Sequence, residues 1–172
     1  MIQNEEARCA LETRIHPESE VKEAIDTGDH DSIVIRETIG QLALEGRWPE
    51  IWAIADSMGR EVSILLDRRN RAFVDIGTAG RVNLSPPDGS EVPFRLWVHT
   101  HPRDAYWSST DRGSLALYSG LLDEALVLGF DHLKRSVNGS GHTNPLEQEG
   151  PLSRWSSEEV VTYEKWGDGH VE

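Results

Sequence analysis

Several residue types are scarce in this chain of 172 residues, and each scarcity excludes a class of protein. Cysteine occurs once, at Cys9, so the chain cannot form an internal disulfide framework or a cysteine-rich metal site. No apolar run approaches the roughly 20 residues that a membrane-spanning helix needs. The N-terminus has neither the basic nor the apolar region of a signal peptide. The sequence therefore predicts a soluble, cytoplasmic protein with no membrane association.

Basic residues are also scarce relative to acidic ones. The chain has 30 Asp and Glu against 17 Lys and Arg, which gives a formal net charge of -13. A protein that binds a phosphate backbone uses clustered Lys and Arg to release counterions. The acid excess therefore argues against nucleic acid as a partner.

The length and hydrophobic content are those of one folded domain. Domains most often have roughly 100–150 residues, and a chain near that length buries about 70% of its unfolded surface. The chain contains six Trp, whose side chains supply large apolar surfaces. We expect an N-terminal extension over residues 1–31 and a single domain over residues 32–172.

The hydrophobic pattern predicts the order of the main elements. Ile35, Ile39, Leu42 and Ala43 follow a helical period that ends at Gly46. A further helix is expected after Ser108, and a long loop from residue 136 to residue 157. Strands are expected at residues 51–55, 62–66, 72–76, 94–101, 125–130 and 160–166. This order predicts an α+β fold with a mixed, mainly antiparallel sheet flanked by helices.

Two histidines and one aspartate form the most informative pattern. His99 and His101 are two positions apart on a predicted strand, so their imidazoles point to the same face. Asp111 is in the first turn of the following helix, from which it can return over the strand end. Two His and one carboxylate leave a fourth position for water, as in catalytic zinc sites. Asp104 is the alternative carboxylate ligand.

The same residues resemble a known signature. His99-Thr100-His101-Pro102, followed by Ser108-Ser109-Thr110-Asp111, is similar to the motif of the JAMM (MPN+/JAB) zinc metalloproteases. The resemblance covers roughly residues 33 to 135, and the small size is similar to that of stand-alone prokaryotic members. It implies a JAB/MPN-like fold with cytidine-deaminase-like layering and Zn²⁺ bound by the two histidines and Asp111. It also implies hydrolysis of peptide or isopeptide bonds after a ubiquitin-like protein, which would be the partner.

The resemblance also implies a general base. In the family, a Glu at the end of the first helix and just before a strand activates the water bound to zinc. Pro49-Glu50-Ile51 occupies that place here, after the helix that ends at Gly46, so Glu50 is the expected base. Glu37 and Glu45 on that helix are rival candidates.

Ser108 is the second expected catalytic residue, as a hydrogen-bond donor to the developing oxyanion. Its alternative role is to cap the following helix, a role that Ser109 or Thr110 could also fill. The flanking Trp97 and Trp107 are expected to pack in the core or to line the pocket, although an aromatic rim could hold an extended peptide.

Two other functions remain open. The chain could be a non-catalytic MPN-type module that binds or scaffolds a partner. It could instead be a RadC-like protein, because Gly129-Phe130-Asp131-His132-Leu133 is similar to a stretch of that branch. His132 is otherwise expected to be a hydrogen-bonded histidine at the sheet edge. The sequence does not indicate an oligomeric state.

Overall fold

The computed structural model describes residues 12–77 and 89–169, so Cys9 lies outside the described residues. The described residues form five α-helices and a mixed sheet, which confirms the predicted α+β class. The helices are α1 Glu18–Asp26, α2 Ile33–Leu44, α3 Trp48–Met58, α4 Ser109–Leu117 and α5 Tyr163–Gly169. The strands are β1 Val62–Leu66, β2 Ala72–Ile76, β3 Leu96–Thr100, β4 Glu124–Leu128, β5 His132–Val137 and β6 Val161–Thr162. Within these ranges, none of the helices has the length and apolar character needed to cross a membrane.

The sheet has the strand order β2-β1-β3-β4-β5-β6. Neighbouring strands are antiparallel except β3 and β4, which are parallel. Every residue of β3 is buried, because strands lie on both sides of it and each face of the sheet is covered. The end of β3 is therefore a place where polar side chains can be held away from water.

Two hydrophobic clusters cover the two faces of the sheet. On one face, α1, α2 and α3 pack against Val62, Ile64, Leu96 and Val98. On the other face, Trp97 packs with side chains of α4 and of the segment that follows β5. Alternate residues of β3 thus enter different clusters, as expected for a strand with period two. His99 of β3 belongs to the second face, the face that α4 covers, and His101 directly follows the strand.

The prediction of a strand at residues 51–55 is wrong, because these residues are in the middle of α3. The buried residues of this segment, Ile51, Trp52, Ala55 and Met58, follow the helical period. Pro49 lies in the first turn of this helix, where a missing N–H costs nothing. Short apolar runs fit either type of element.

Other boundaries also differ from the predictions. The segment after β6 is the helix α5 instead of a continued strand, and β5 was not predicted from its polar sequence. The N-terminal residues that the structure describes pack against the domain, since Val21 of α1 enters the first cluster. The backbone N–H of His16 also donates to Thr38 Oγ1 of α2 at 3.2 Å.

Candidate metal centre

His99 of β3 and His101, which directly follows the strand, lie side by side on the face covered by α4. The ring centroids of His99 and His101 are 5.2 Å apart. Trp97 stacks on His99 at 4.3 Å, and its indole N–H donates to Ser63 Oγ of β1 at 2.8 Å. These contacts restrict the His99 ring, so the strand and its neighbour fix the imidazole before any ligand binds.

Asp111 reaches the histidines from the first turn of α4. The Ser108 N–H donates to Asp111 Oδ2 at 3.0 Å, and the Asp111 N–H donates to Ser108 Oγ at 3.1 Å. This reciprocal pair is a capping box. It holds the carboxylate where Oδ1 lies 3.0 Å from His99 Nε2 and Oδ2 lies 3.1 Å from His101 Nε2.

The three side chains fit a metal ion. One ligand atom from each of His99, His101 and Asp111 lies within 4.8 Å of the others, and all three residues are buried. Among the residues that the structure describes, the His99 ring nitrogens have no hydrogen-bond partner, because the close approach of Nε2 to Asp111 lacks hydrogen-bond geometry. An unpartnered buried polar atom costs free energy. Coordination of a cation would satisfy the free Nε2, so this group could hold a metal ion.

Burial and charge set the protonation states that metal binding requires. Burial lowers the pKa of His99, which favours the neutral imidazole. Burial alone would raise the pKa of Asp111, but the hydrogen bond with His101 and the close approach of His99 outweigh it and hold that pKa well below its usual range. Neutral imidazole and ionised carboxylate are the forms that bind metals.

The structure also shows where the other candidate residues near the site lie. Ser108 caps α4, so its alternative structural role is present. Asp104 is exposed and is not in the cluster, which leaves Asp111 as the carboxylate that approaches both histidines. Trp97 and Trp107 are both buried. The Trp107 ring lies 5.9 Å from His99, and within residues 12–77 and 89–169 its indole N–H has no hydrogen-bond partner.

Glu50 does not have the position that was expected for the general base. Glu50 is exposed in the first turn of α3, not before a strand. Arg47 binds its carboxylate through two hydrogen bonds of 2.8 and 2.7 Å. Among the described residues, no hydrogen bond or ion pair joins Glu50 to the histidines or Asp111.

Glu61 is the carboxylate that sequence reasoning missed. It precedes β1 directly, and β1 pairs with β3 so that Ser63 is opposite His99. Extended two residues beyond the last pair, Ser63 and His99, this register would bring Glu61 near His101. Glu61 also lines a pocket with His101. Glu50 was selected as a Glu between a helix and a strand. The segment Glu61-Val62-Ser63-Ile64-Leu65 has this arrangement, because Glu61 lies between α3 and β1.

The surroundings of Glu61 perturb its carboxyl group. Burial raises the pKa of Glu61. The charge of His101 acts in the opposite direction, and the negative charge of Asp111 raises that pKa further. Glu61 is therefore electrostatically coupled to two of the three candidate ligands.

A pocket of about 200 Å³ opens beside His101 and Glu61. Its walls are mainly apolar and come from α3, the connection between α3 and β1, and the end of β3 with the two residues after it. The Trp52 N–H donates to the His101 carbonyl at 2.8 Å, which ties α3 to the strand end. Two exposed aromatics flank this region: Tyr106 meets the His101 ring edge-on at 4.6 Å, and Phe130 contacts Trp52 at 5.3 Å.

No family model matches the sequence, and neither the curated proteins nor the solved structures include a significantly similar one.

Proposed function

We propose that this protein is a zinc-dependent metallopeptidase or isopeptidase of the JAMM type, which hydrolyses the bond after a ubiquitin-like modifier. The observation that carries the proposal is the buried group of His99, His101 and Asp111, with Glu61 lining the pocket beside His101. A structural metal site would be closed by four protein ligands. Three ligands with a carboxylate beside them are the arrangement of a hydrolytic site.

Zinc is the metal that suits these ligands best. Imidazole nitrogen and carboxylate oxygen are preferred zinc ligands, and a set of three leaves a position for water or substrate. Zn²⁺ bound there would lower the pKa of water to about 7 and polarise the scissile carbonyl. The protein must then move protons and stabilise the developing negative charge.

Glu61 is proposed as the general base in place of Glu50. Its carboxylate accepts the proton of the attacking water and then delivers that proton to the leaving nitrogen. General acid–base catalysis is most effective when the pKa of the group lies near the working pH. The direction in which burial shifts the pKa of Glu61 favours this role.

Ser108 is proposed as the donor to the oxyanion. Its Oγ already accepts the Asp111 N–H, but this contact uses a lone pair and leaves the hydroxyl proton free. The capping box fixes the serine relative to Asp111. The two roles considered for Ser108 are therefore compatible.

The substrate class comes from the resemblance, and the surface near the site is consistent with it. The flexible tail of a ubiquitin-like protein would have to bind as an extended chain. Tyr106 and Phe130 are 55% and 67% exposed, and they border an apolar pocket beside His101. Exposed aromatic side chains of this kind can hold an extended peptide by stacking and burial.

Two measurements on the full chain test the proposal. Metal content should be close to one zinc per chain after growth in supplemented medium. Cleavage of ubiquitin-like fusion proteins should stop with chelator and return when Zn²⁺ is added. His101→Ala should abolish both metal and activity, while His142→Ala should leave both unchanged. Cleavage that continues in the presence of chelator would contradict the zinc mechanism. A stoichiometric metal site without cleavage would favour a binding module.

A further inference from the structure

Residues 102–107 join two of the candidate metal ligands, His101 and Asp111. This connection must reverse the chain so that the start of α4 returns over the end of β3. It has no regular secondary structure of its own. Its conformation therefore depends on the groups that bind its backbone.

Two of those groups come from the chain after β4. The Phe130 N–H donates to the Arg103 carbonyl at 2.8 Å. The Ala105 N–H donates to His132 Nε2 at 2.9 Å. Both bonds reach the middle of the connection and attach it to the turn between β4 and β5.

The bond to Ala105 determines the tautomer of His132. A backbone N–H can only donate, so Nε2 must be the unprotonated nitrogen. The proton is then on Nδ1, which lies 2.7 Å from Asp131 Oδ1 and donates to it. Asp131 thus orients the ring, and the His132 side chain, only 16% exposed, presents a fixed acceptor to the connection.

Gly129 allows this close approach. A Cβ atom at this position would lie 2.7 Å from the Arg103 carbonyl oxygen and 2.8 Å from the Ala105 nitrogen. Backbone therefore packs directly on backbone. On the other side, the Tyr163 hydroxyl donates to the Gly129 carbonyl at 2.6 Å, which braces the turn.

We propose that His132, oriented by Asp131, is a positioning residue for the metal centre. It holds Ala105, and through the connection it sets where α4 begins and where Asp111 meets the histidines. His132 touches neither the metal nor the substrate in this role. The proposal rests on the metal site of the proposed function.

The test compares variants of the full chain that differ in the acceptor at position 132. His132→Leu removes the acceptor with little loss of volume, whereas His132→Gln restores one, because Oε1 reaches close to the place of Nε2. Lys134→Leu on the same strand is the matched control. Zinc affinity is measured by chelator competition, the ligand field by the Co²⁺ absorption spectrum, and folding by the melting temperature of the metal-free protein.

His132→Leu should weaken zinc binding about 10–100-fold, which is typical when a group that orients a ligand is lost. Its Co²⁺ spectrum should also change. His132→Gln should recover most of the affinity, and Lys134→Leu should match wild type. If His132→Leu does not fold, Asp131→Ala, a substitution of an exposed residue, takes its place in the test. Because it removes one hydrogen bond, we expect zinc affinity to fall about fivefold.

The possible failures are distinguishable. A wild-type protein that binds no zinc overturns both the proposed function and this inference. If wild type binds zinc and His132→Leu shows the same affinity and spectrum, the positioning role is wrong and the proposed function stands. A variant that only melts at a lower temperature, with unchanged zinc affinity and Co²⁺ spectrum, overturns the role as well.

Discussion

The Asp111 carboxylate serves a helix and two histidines at the same time. Its Oδ2 accepts the Ser108 N–H and also lies 3.1 Å from His101 Nε2, while Oδ1 lies 3.0 Å from His99 Nε2. The capping box that begins α4 therefore also fixes the candidate ligand. Helix formation and the metal site depend on the same few atoms.

Asp111→Asn separates these two roles. The amide oxygen can still accept the Ser108 N–H, so α4 should form and the helical circular dichroism of the metal-free protein should be retained. The negative charge is lost, and we expect zinc affinity to fall by at least about 100-fold, the upper end of losses for groups outside the ligand set. Zinc competition and circular dichroism measure the two effects. Retention of wild-type affinity would remove Asp111 from the ligand set.

The choice between Glu61 and Glu50 gives the second prediction. Glu61→Gln keeps the shape of the side chain but cannot accept the proton, so kcat should fall by about 10²–10⁴ with zinc content unchanged. Glu50→Gln is the matched control and should retain activity, because Glu50 is exposed and pairs with Arg47. Steady-state kinetics with a fusion substrate decides between them. The opposite pattern would return the base to Glu50.

At the scale of elements, the turn between β1 and β2 is organised by one buried carboxylate. Asp67 Oδ1 accepts the N–H groups of Arg69 and Arg71, and Oδ2 accepts the Glu91 N–H and the Arg71 Nε–H. Burial alone would raise the pKa of Asp67, but these hydrogen bonds outweigh it and lower that pKa.

Asp67→Asn should therefore destabilise the protein by about 2–3 kcal/mol at pH 7, since charge-assisted hydrogen bonds are lost and an amide N–H₂ faces donors. The folded-state pKa is below the unfolded value, so this stabilisation is present above about pH 3.9 and is lost as the pH falls through the folded pKa. Denaturant unfolding should show a smaller difference in the free energy of unfolding between Asp67→Asn and wild type at pH 3 than at pH 7. Asp26→Asn, which is exposed, should show little effect at either pH, and an equal effect of both substitutions would contradict the assignment.

The elements also show why one part of the site was predicted and another was not. The alternation of β3 placed His99 and His101 on one face, and Ser108 was recognised as a possible cap for the next helix. Both are local patterns that a strand or a helix start imposes on neighbouring residues. The position of Glu61 depends on the pairing of β1 with β3, which joins residues far apart in the chain. No local pattern specifies that register.

At the scale of the whole molecule, the candidate metal centre joins elements that pack on different parts of the sheet. The candidate ligands come from β3, from the residue directly after it and from α4, Glu61 directly precedes β1, and the Trp52 N–H of α3 donates to the His101 carbonyl. A ligand that binds this assembled site and not the unfolded chain must stabilise the entire fold.

Zinc should therefore raise the melting temperature. Free zinc at about 1,000 times Kd would stabilise the folded state by about 4 kcal/mol. For a chain of this size each kcal/mol shifts the melting temperature by about 2–4 °C, so a rise of about 8–16 °C is expected. Differential scanning calorimetry with zinc and with chelator measures it, and Asp111→Asn should show no rise. An equal rise in that variant would place the zinc elsewhere.

The sequence by itself determined the α+β class, the shared face of the two histidines and the aspartate expected to join them. These features depend on periodicity and on the start of a helix, which act over a few residues. Only the tertiary structure decided that residues 51–55 are helical and that Glu61 lines a pocket with His101. A short apolar run fits a strand or a helix until packing selects one, and strand register is fixed by contacts between distant segments.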